Sequence, residues 1–257
     1  MTSRQPSLLA RALEPFASGL WILFIIWTAI VAGVWVWGFG EAELREQIAN
    51  PGLLGALEFL LKSLDAAWIA LGAANIYLAL AAEEGLATVR RWALIVIVGA
   101  GAVAALSEKT GIPLGPIHYT TRLGMRLGPV PLGMPLLWFA FVTGARSLTM
   151  RYAPRASHGK VAFGAGVLAA LADANFEPIA WKARAFWLWY PTASPAPTWP
   201  PLQNYAVWLA VSWAFAFAMR ETRVAATSAD SFPRPAIVFL MFNAVLLATH
   251  AARYIQR

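Results

Sequence analysis

The sequence predicts an all-α membrane protein, a polytopic helical bundle of about seven transmembrane helices forming one integral membrane domain over residues 1–257. Three observations carry this. Charged residues make up 13% of the chain, about half of the roughly 25% usual in soluble domains. The apolar residues gather in uncharged runs at 15–40, 66–82, 92–107, 127–145, 185–219 and 235–252, and about 20 apolar residues span a bilayer as a helix. The runs lack the period-2 alternation of barrel strands, and lipid leaves the backbone no other means of satisfaction.

The elements follow in order. Residues 1–15 form a polar lead with Arg4 and Arg11. The first helix covers 16–39, with Trp35 and Trp37 placed for an interfacial belt. An acidic loop, 41–51, leads to the second helix, about 52–80. Its Glu58, Lys62, Asp65, Gly72 and Asn75 lie on one stripe, which should face the bundle interior because ionisable groups are costly in lipid. Lys62 and Asp65 read most simply as a buried structural pair. Arg90 and Arg91 precede a short third helix ending near Ser107 and Glu108. The connection 108–130 is rich in Gly and Pro and should be irregular. The fourth and fifth helices cover 131–150 and 161–177. An aromatic, proline-rich stretch then leads to the sixth, 204–219, and the seventh, 235–252.

The net charge of +7 does not indicate nucleic acid. The basic residues stand singly or in pairs at helix ends, as positive-inside topology places them, and no block forms a patch. With the N-terminus inside, eleven Lys and Arg fall in inner segments (Arg4, Arg11, Arg90, Arg91, Arg146, Arg151, Arg155, Lys160, Arg220, Arg223, Arg234) and eight in outer ones (Arg45, Lys109, Arg122, Arg126, Lys182, Arg184, Arg253, Arg257). That is a weak preference, compatible with a cytoplasmic-membrane protein. With seven spans, connections 108–130 and 178–203 lie on the same side and can meet. The first apolar run is too long for a cleavable signal and lacks a cleavage pattern. There are no cysteines, so disulfides, thiolate metal sites and cysteine nucleophiles are excluded.

Signatures of soluble enzymes are absent: no GxSxG elbow, P-loop or HExxH occurs. Gly99-Ala100-Gly101 with Ala104 imitates a dinucleotide fingerprint, but it sits within an apolar helix, where close helix packing explains it better. His118, His158 and His250 match no metal spacing, so no metal and no other cofactor is expected. Asp173 and Glu177 are the strongest acid candidates. Four residues apart, they share a helix face, and Asp173 follows a dozen uncharged residues. Burial beside a second carboxyl would keep one proton available at neutral pH. The plain alternative is ion pairing with Lys182 or Arg184 at the membrane surface. Glu108 ends a span beside an irregular loop, with pairing to Lys109 as its alternative. Five tryptophans between 181 and 208 exceed what an anchor belt needs, and aromatic faces stabilise cations.

With these residues in view, the sequence resembles the carotenoid 1′,2′-hydratase family, the group that includes γ-carotene hydratase and bisanhydrobacterioruberin hydratase. Its first block, a Glu followed by TG-x-P-x-G-x-Y-x-Y, corresponds to Glu108, Thr110, Gly111, Pro113, Gly115 and Tyr119. A VP-x-x-x-P-x-x-W continuation corresponds to Val130, Pro131, Pro135 and Trp138. The second block, D-x-x-x-D-P, then W-x-W, then P-x-x-N-F-x-x-W, corresponds to Asp173, Glu177, Pro178, Trp187, Trp189, Pro201, Asn204, Tyr205 and Trp208. The departures are Ile117 for the first Tyr, Glu177 for Asp, Tyr205 for Phe, and TASPAPTWPP in place of a glycine-containing approach. They bear on substrate range more than on reaction type. The resemblance covers roughly 50–220.

The resemblance implies hydration of the terminal C1′=C2′ double bond of an acyclic or monocyclic carotenoid, without a redox cofactor. Protonation at C2′ makes a tertiary cation at C1′, which requires a positioned acid and little competing water. Asp173 or Glu177 is then the acid, with the other, or Glu108, orienting water. Asn204, Tyr119 and His118 are hydrogen-bonding candidates, and Trp187 and Trp189 form the cation-facing wall. Trp138, Trp208 and Asp65 complete the expected substrate lining. The expected partners are the carotenoid, water and membrane lipid. Three rival readings remain: another isoprenoid-modifying enzyme (isomerase or cyclase), a non-catalytic carotenoid-binding protein, and a small transporter, which the lack of an internal repeat disfavours.

Overall fold

A computed structural model describes residues 8–38, 40–191, 198–220 and 233–255. All seven expected helices form: α1 (Leu8–Trp37), α3 (Pro51–Glu84), α4 (Leu86–Thr110), α5 (Gly133–Tyr152), α6 (His158–Pro178), α7 (Leu202–Ala218) and α8 (Arg234–Ile255). The acidic stretch read as a loop holds one more short helix, α2 (Glu41–Gln47). The third helix is not short: it begins at Leu86 and includes Arg90 and Arg91. Local chemistry sets the boundaries. Asn50 accepts hydrogen bonds from the Gly52 and Leu53 amides ahead of α3, with Pro51 as its first residue, an N-cap with proline where no N–H is missed. Gly111 ends α4 in the left-handed conformation (φ 73°), the geometry that glycine adopts without strain.

Among the described residues, four helices are long and apolar enough to cross a membrane: Pro15–Trp37 within α1, and α3, α4 and α8. The expected count of about seven spans is therefore not carried. The three that fall short are α7, with 17 residues, and α5 and α6, which carry Arg146 and Arg151, and Lys160, Asp173 and Glu177, respectively. The physical reason is visible in α5. From Gly133 to Arg146 nearly every residue is buried, so this helix packs against other helices on all sides. Surroundings of protein rather than lipid relax the demand for uniformly apolar residues.

The charged stripe of the second predicted helix divides in α3. Glu58 meets Arg45 near the surface (2.7 Å) and Lys62 is exposed, whereas Asp65, Gly72 and Asn75 are buried. Trp35 is not a belt residue; it is buried and donates Nε1 to Asp65 Oδ1 (2.8 Å), while Trp37 is exposed. Two counted surface cations also lie inside: Arg146 is buried, with its guanidinium over the Trp92 ring (5.2 Å), and Arg184 pairs with Asp65. Arg4, Arg223, Arg257 and residues 192–197 lie outside the described residues.

The two Gly/Pro-rich connections do meet. Strand β1 (Ile117–Tyr119) pairs antiparallel with β4 (Trp187–Trp189), placing Tyr119 opposite Trp187 and Ile117 opposite Trp189. Beside them β2 (Arg126–Leu127) and β3 (Val130–Pro131) form a small hairpin. The Thr120 amide donates to Phe186 O (2.9 Å), and Gln203 Nε2 to Gly111 O (3.1 Å). Gly115 has φ +122°, and a Cβ there would stand 2.3 Å from Pro201 Cγ, so only glycine lets the first connection touch the start of α7. These contacts cap one end of the bundle.

Candidate functional site

The site begins with how closely α6 and α7 approach. Ala162, Ala165, Gly166, Ala169 and Ala172 are buried along α6, and small residues let helix backbones come together. A Cβ on Gly166 would stand 2.9 Å from Trp213 Cβ and 3.0 Å from Leu209 O. Across this narrow gap the short amide of Asn204, near the start of α7, reaches both carboxyls of α6. Its Nδ2 donates to Asp173 Oδ2 (2.9 Å) and to Glu177 Oε1 (3.1 Å).

The other oxygen of Glu177 is held from the capping strand. Oε2 accepts from Trp189 Nε1 (3.0 Å) and Trp187 Nε1 (3.3 Å). Both indoles point inward because β4 alternates, with Leu188 exposed between them. The strand is placed by a single π-helical turn, Ile179–Ala183, that follows Pro178. Near this turn, His250 Nε2 donates to Asn175 O (2.7 Å). Ala185 and Tyr190, at the two corners of β4, take positive φ (50° and 49°), a conformation costly for residues with a Cβ.

Asp173, Glu177 and Asn204 are each at most 1% exposed. Every hydrogen bond to the two carboxyls comes from a neutral donor, and neither makes an ion pair among the described residues. Asp173 Oδ1 has no partner among the described residues. Pairing with Lys182 or Arg184 is therefore not what the structure shows. Arg184 instead grips Asp65 Oδ2 through Nε (3.0 Å) and Nη2 (2.6 Å), and Lys182 lies over the rings of Trp181 and Trp199. The expected Lys62–Asp65 pair is corrected by the same contacts: the partner of Asp65 comes from the π turn, and Trp35 supplies its other bond.

Glu108 stands apart from the pair, and its partner is not Lys109. Oε1 meets Arg126 Nη2 and His118 Nδ1, each at 3.1 Å. Oε2 accepts the backbone N–H of Tyr119 (2.9 Å), and Arg126 Nη1 donates to Tyr119 O (3.1 Å). His118 points outward, opposite Leu188, and is about half exposed. Tyr119 points inward. It is fully buried, its ring meets that of Trp187 edge-on (6.2 Å), and its hydroxyl has no partner. Burial first, and then the nearby carboxyls of Glu108, Glu177 and Asp173, hold its phenol well above the ordinary value of 10. Trp208 lies one turn along α7 from Asn204 and stacks on Trp138 of α5 (3.9 Å), with Trp138 Nε1 also unpartnered among the described residues.

Sequence reasoning brought Asp173, Glu177, Asn204, Tyr119, Trp187 and Trp189 to one place, and the structure assembles them there. It does not bring Glu108, His118 or Asp65 into the cluster. Arg126 and Arg184 were missed as partners because nothing in local spacing couples them to Glu108 and Asp65. Gly99 serves packing, since a Cβ there would stand 2.7 Å from the Phe215 ring of α7, whereas Gly101 faces open space. A cavity of about 270 Å³ lies between the C-terminal ends of α1 and α8, lined by Trp35, Arg122, Arg184 and Arg253 among others. It borders the π turn at Ile179 and Ala183, and no member of the carboxyl cluster lines it. The carboxyl cluster sits in the packed interior. There, two carboxyls with neutral donors can hold one proton and one charge and deliver the proton where water is excluded.

A family model described as carotenoid biosynthesis protein matches residues 64–255. The matched span contains Glu108, Tyr119, Asp173, Glu177, Trp187, Trp189 and Asn204. No curated protein and no solved structure matches the chain.

Proposed function

From the premise that this chain belongs to the carotenoid biosynthesis protein family, we propose that it hydrates the terminal C1′=C2′ bond of an acyclic or monocyclic carotenoid. One observation carries the reading: the unequal hydrogen bonding of Asp173 and Glu177. Glu177 receives three N–H donors, from Trp187, Trp189 and Asn204, while Asp173 receives one and leaves Oδ1 bare. Donors favour the charged form of an acceptor, so the pair's proton belongs on Asp173 and its charge on Glu177. Asp173 Oδ1 then protonates C2′, and the Glu177 carboxylate opposes the positive charge formed at C1′.

Trp187 and Trp189 act in this scheme through their N–H groups, which hold Glu177, with their rings as an apolar wall around the cation. Water adds at C1′ and loses a proton, so the oxidation state is balanced and no redox partner is required. Expression in a host that accumulates an acyclic carotene tests the reading. The expected result is a product heavier by one water. Unchanged pigment with the protein present in the membrane would remove the reaction, and a rearranged product of unchanged mass would favour an isomerase or cyclase.

A further inference from the structure

Two oxygens at the carboxyl cluster are buried without a partner among the described residues: Asp173 Oδ1 and Tyr119 Oη. Buried polar atoms in proteins are almost always satisfied by protein or by ordered water, so a pair of orphans at one place marks a site for a small polar molecule. A chain of contacts links them. Tyr119 is the cross-strand partner of Trp187, its ring meets that indole edge-on, and the indole N–H is bonded to Glu177, one turn from Asp173. The phenol is a hydroxyl throughout the neutral range, for the reasons of burial and charge given above.

We propose that Asp173 Oδ1 and Tyr119 Oη together bind the reacting water molecule, and that Glu108 and Arg126 contribute by fixing Tyr119. The assignment rests on the hydration reading for its chemistry and on the two orphaned oxygens for its place. Asp173 gives its proton to C2′, and the C1′=C2′ π bond becomes a C2′–H bond and a cation at C1′. The water oxygen bonds to C1′ while Tyr119 Oη accepts one of its hydrogens. Asp173 Oδ1, now a carboxylate, takes the other, and the acid is restored. Glu108 Oε2 on the Tyr119 amide and Arg126 on its carbonyl hold the residue from both sides. Glu108 is thereby a positioning residue rather than a base.

Two measurements on the full chain test this. In the first, the protein in phosphatidylcholine vesicles is given an acyclic carotene in D₂O, and hydration is followed together with deuterium exchange at C2′ of recovered substrate. Tyr119→Phe keeps the ring and should slow hydration about 10–100-fold while exchange stays within about twofold of wild type, because protonation needs only Asp173. Glu108→Gln should show the same split more weakly, at about 3–10-fold. Equal loss of exchange and hydration, or unchanged hydration in Tyr119→Phe, would overturn the assignment. The second is a crystal structure of the wild-type protein at a resolution that shows water. An ordered water within about 3 Å of both oxygens is expected, and absence of density there overturns the site even if Tyr119→Phe does not fold. If the water is present but wild type hydrates nothing, the site stands and the hydration reading fails.

Discussion

Two kinds of carboxylate occur at the same end of this molecule. Asp65 and Glu108 each meet a guanidinium, from Arg184 at 2.6 Å and from Arg126 at 3.1 Å. Asp173 and Glu177 are buried at least as deeply, yet receive only amide and indole N–H groups. A cation beside a carboxylate locks its charge and makes it a structural anchor. Neutral donors leave the proton free to move. The difference separates the carboxyls held by cations from those held by neutral donors, and burial alone does not make that distinction.

The comparison is broken most directly at Asp173. Asp173→Asn should accumulate unhydrated carotenoid at a normal level of membrane protein, with turnover lower by about 10²–10⁴-fold, the usual cost of losing a general acid. Glu177→Gln should be slowed less, since it tunes charge rather than delivering the proton. Wild-type pigment from both variants would return these residues to the scaffold. On the anchoring side, Arg184→Met leaves Asp65 buried without its cation and should cost about 3–5 kcal/mol of stability, read as a lower melting temperature in detergent. The protein that remains folded should turn over normally. A stable Arg184→Met protein would show that the pair is dispensable.

Smaller effects sharpen the same contrast. Glu108→Gln retains shape and removes the charge facing Arg126, and should cost about 1–2 kcal/mol of stability, less than Arg184→Met because Arg126 is more exposed than Arg184. Trp189→Phe keeps an aromatic face and deletes only the 3.0 Å bond to Glu177. A loss of about 1 kcal/mol in holding that carboxylate should lower turnover about fivefold, with Trp187→Phe, whose bond is 3.3 Å, showing less. Comparison with Trp189→Leu decides what the ring itself does: a Phe variant as active as wild type beside a slow Leu variant would assign the effect to the aromatic face.

What the sequence determined by itself is what local chemistry controls. Helix existence follows from uncharged runs and caps such as Asn50 and Gly111. The common face of Asp173 and Glu177 follows from a spacing of four; the meeting of the two Gly/Pro-rich connections was expected from seven spans, a count the structure does not carry, and it is the β1–β4 pairing that shows it. The number of membrane spans was not legible, because hydropathy reports exposure to lipid and α5 is sheltered by its neighbours. Nor were the partners. Asp65 and Arg184 are separated by 119 residues, and Lys62 and Lys109 were nearer choices along the chain that helix packing and strand register passed over. Which carboxyl is left with a bare oxygen depended on the α6–α7 approach at Gly166 and on the corners at Ala185 and Tyr190. Only the closed tertiary structure decides such contacts, since a hydrogen bond needs its two atoms within about 3 Å and periodicity along one element cannot place an atom of another.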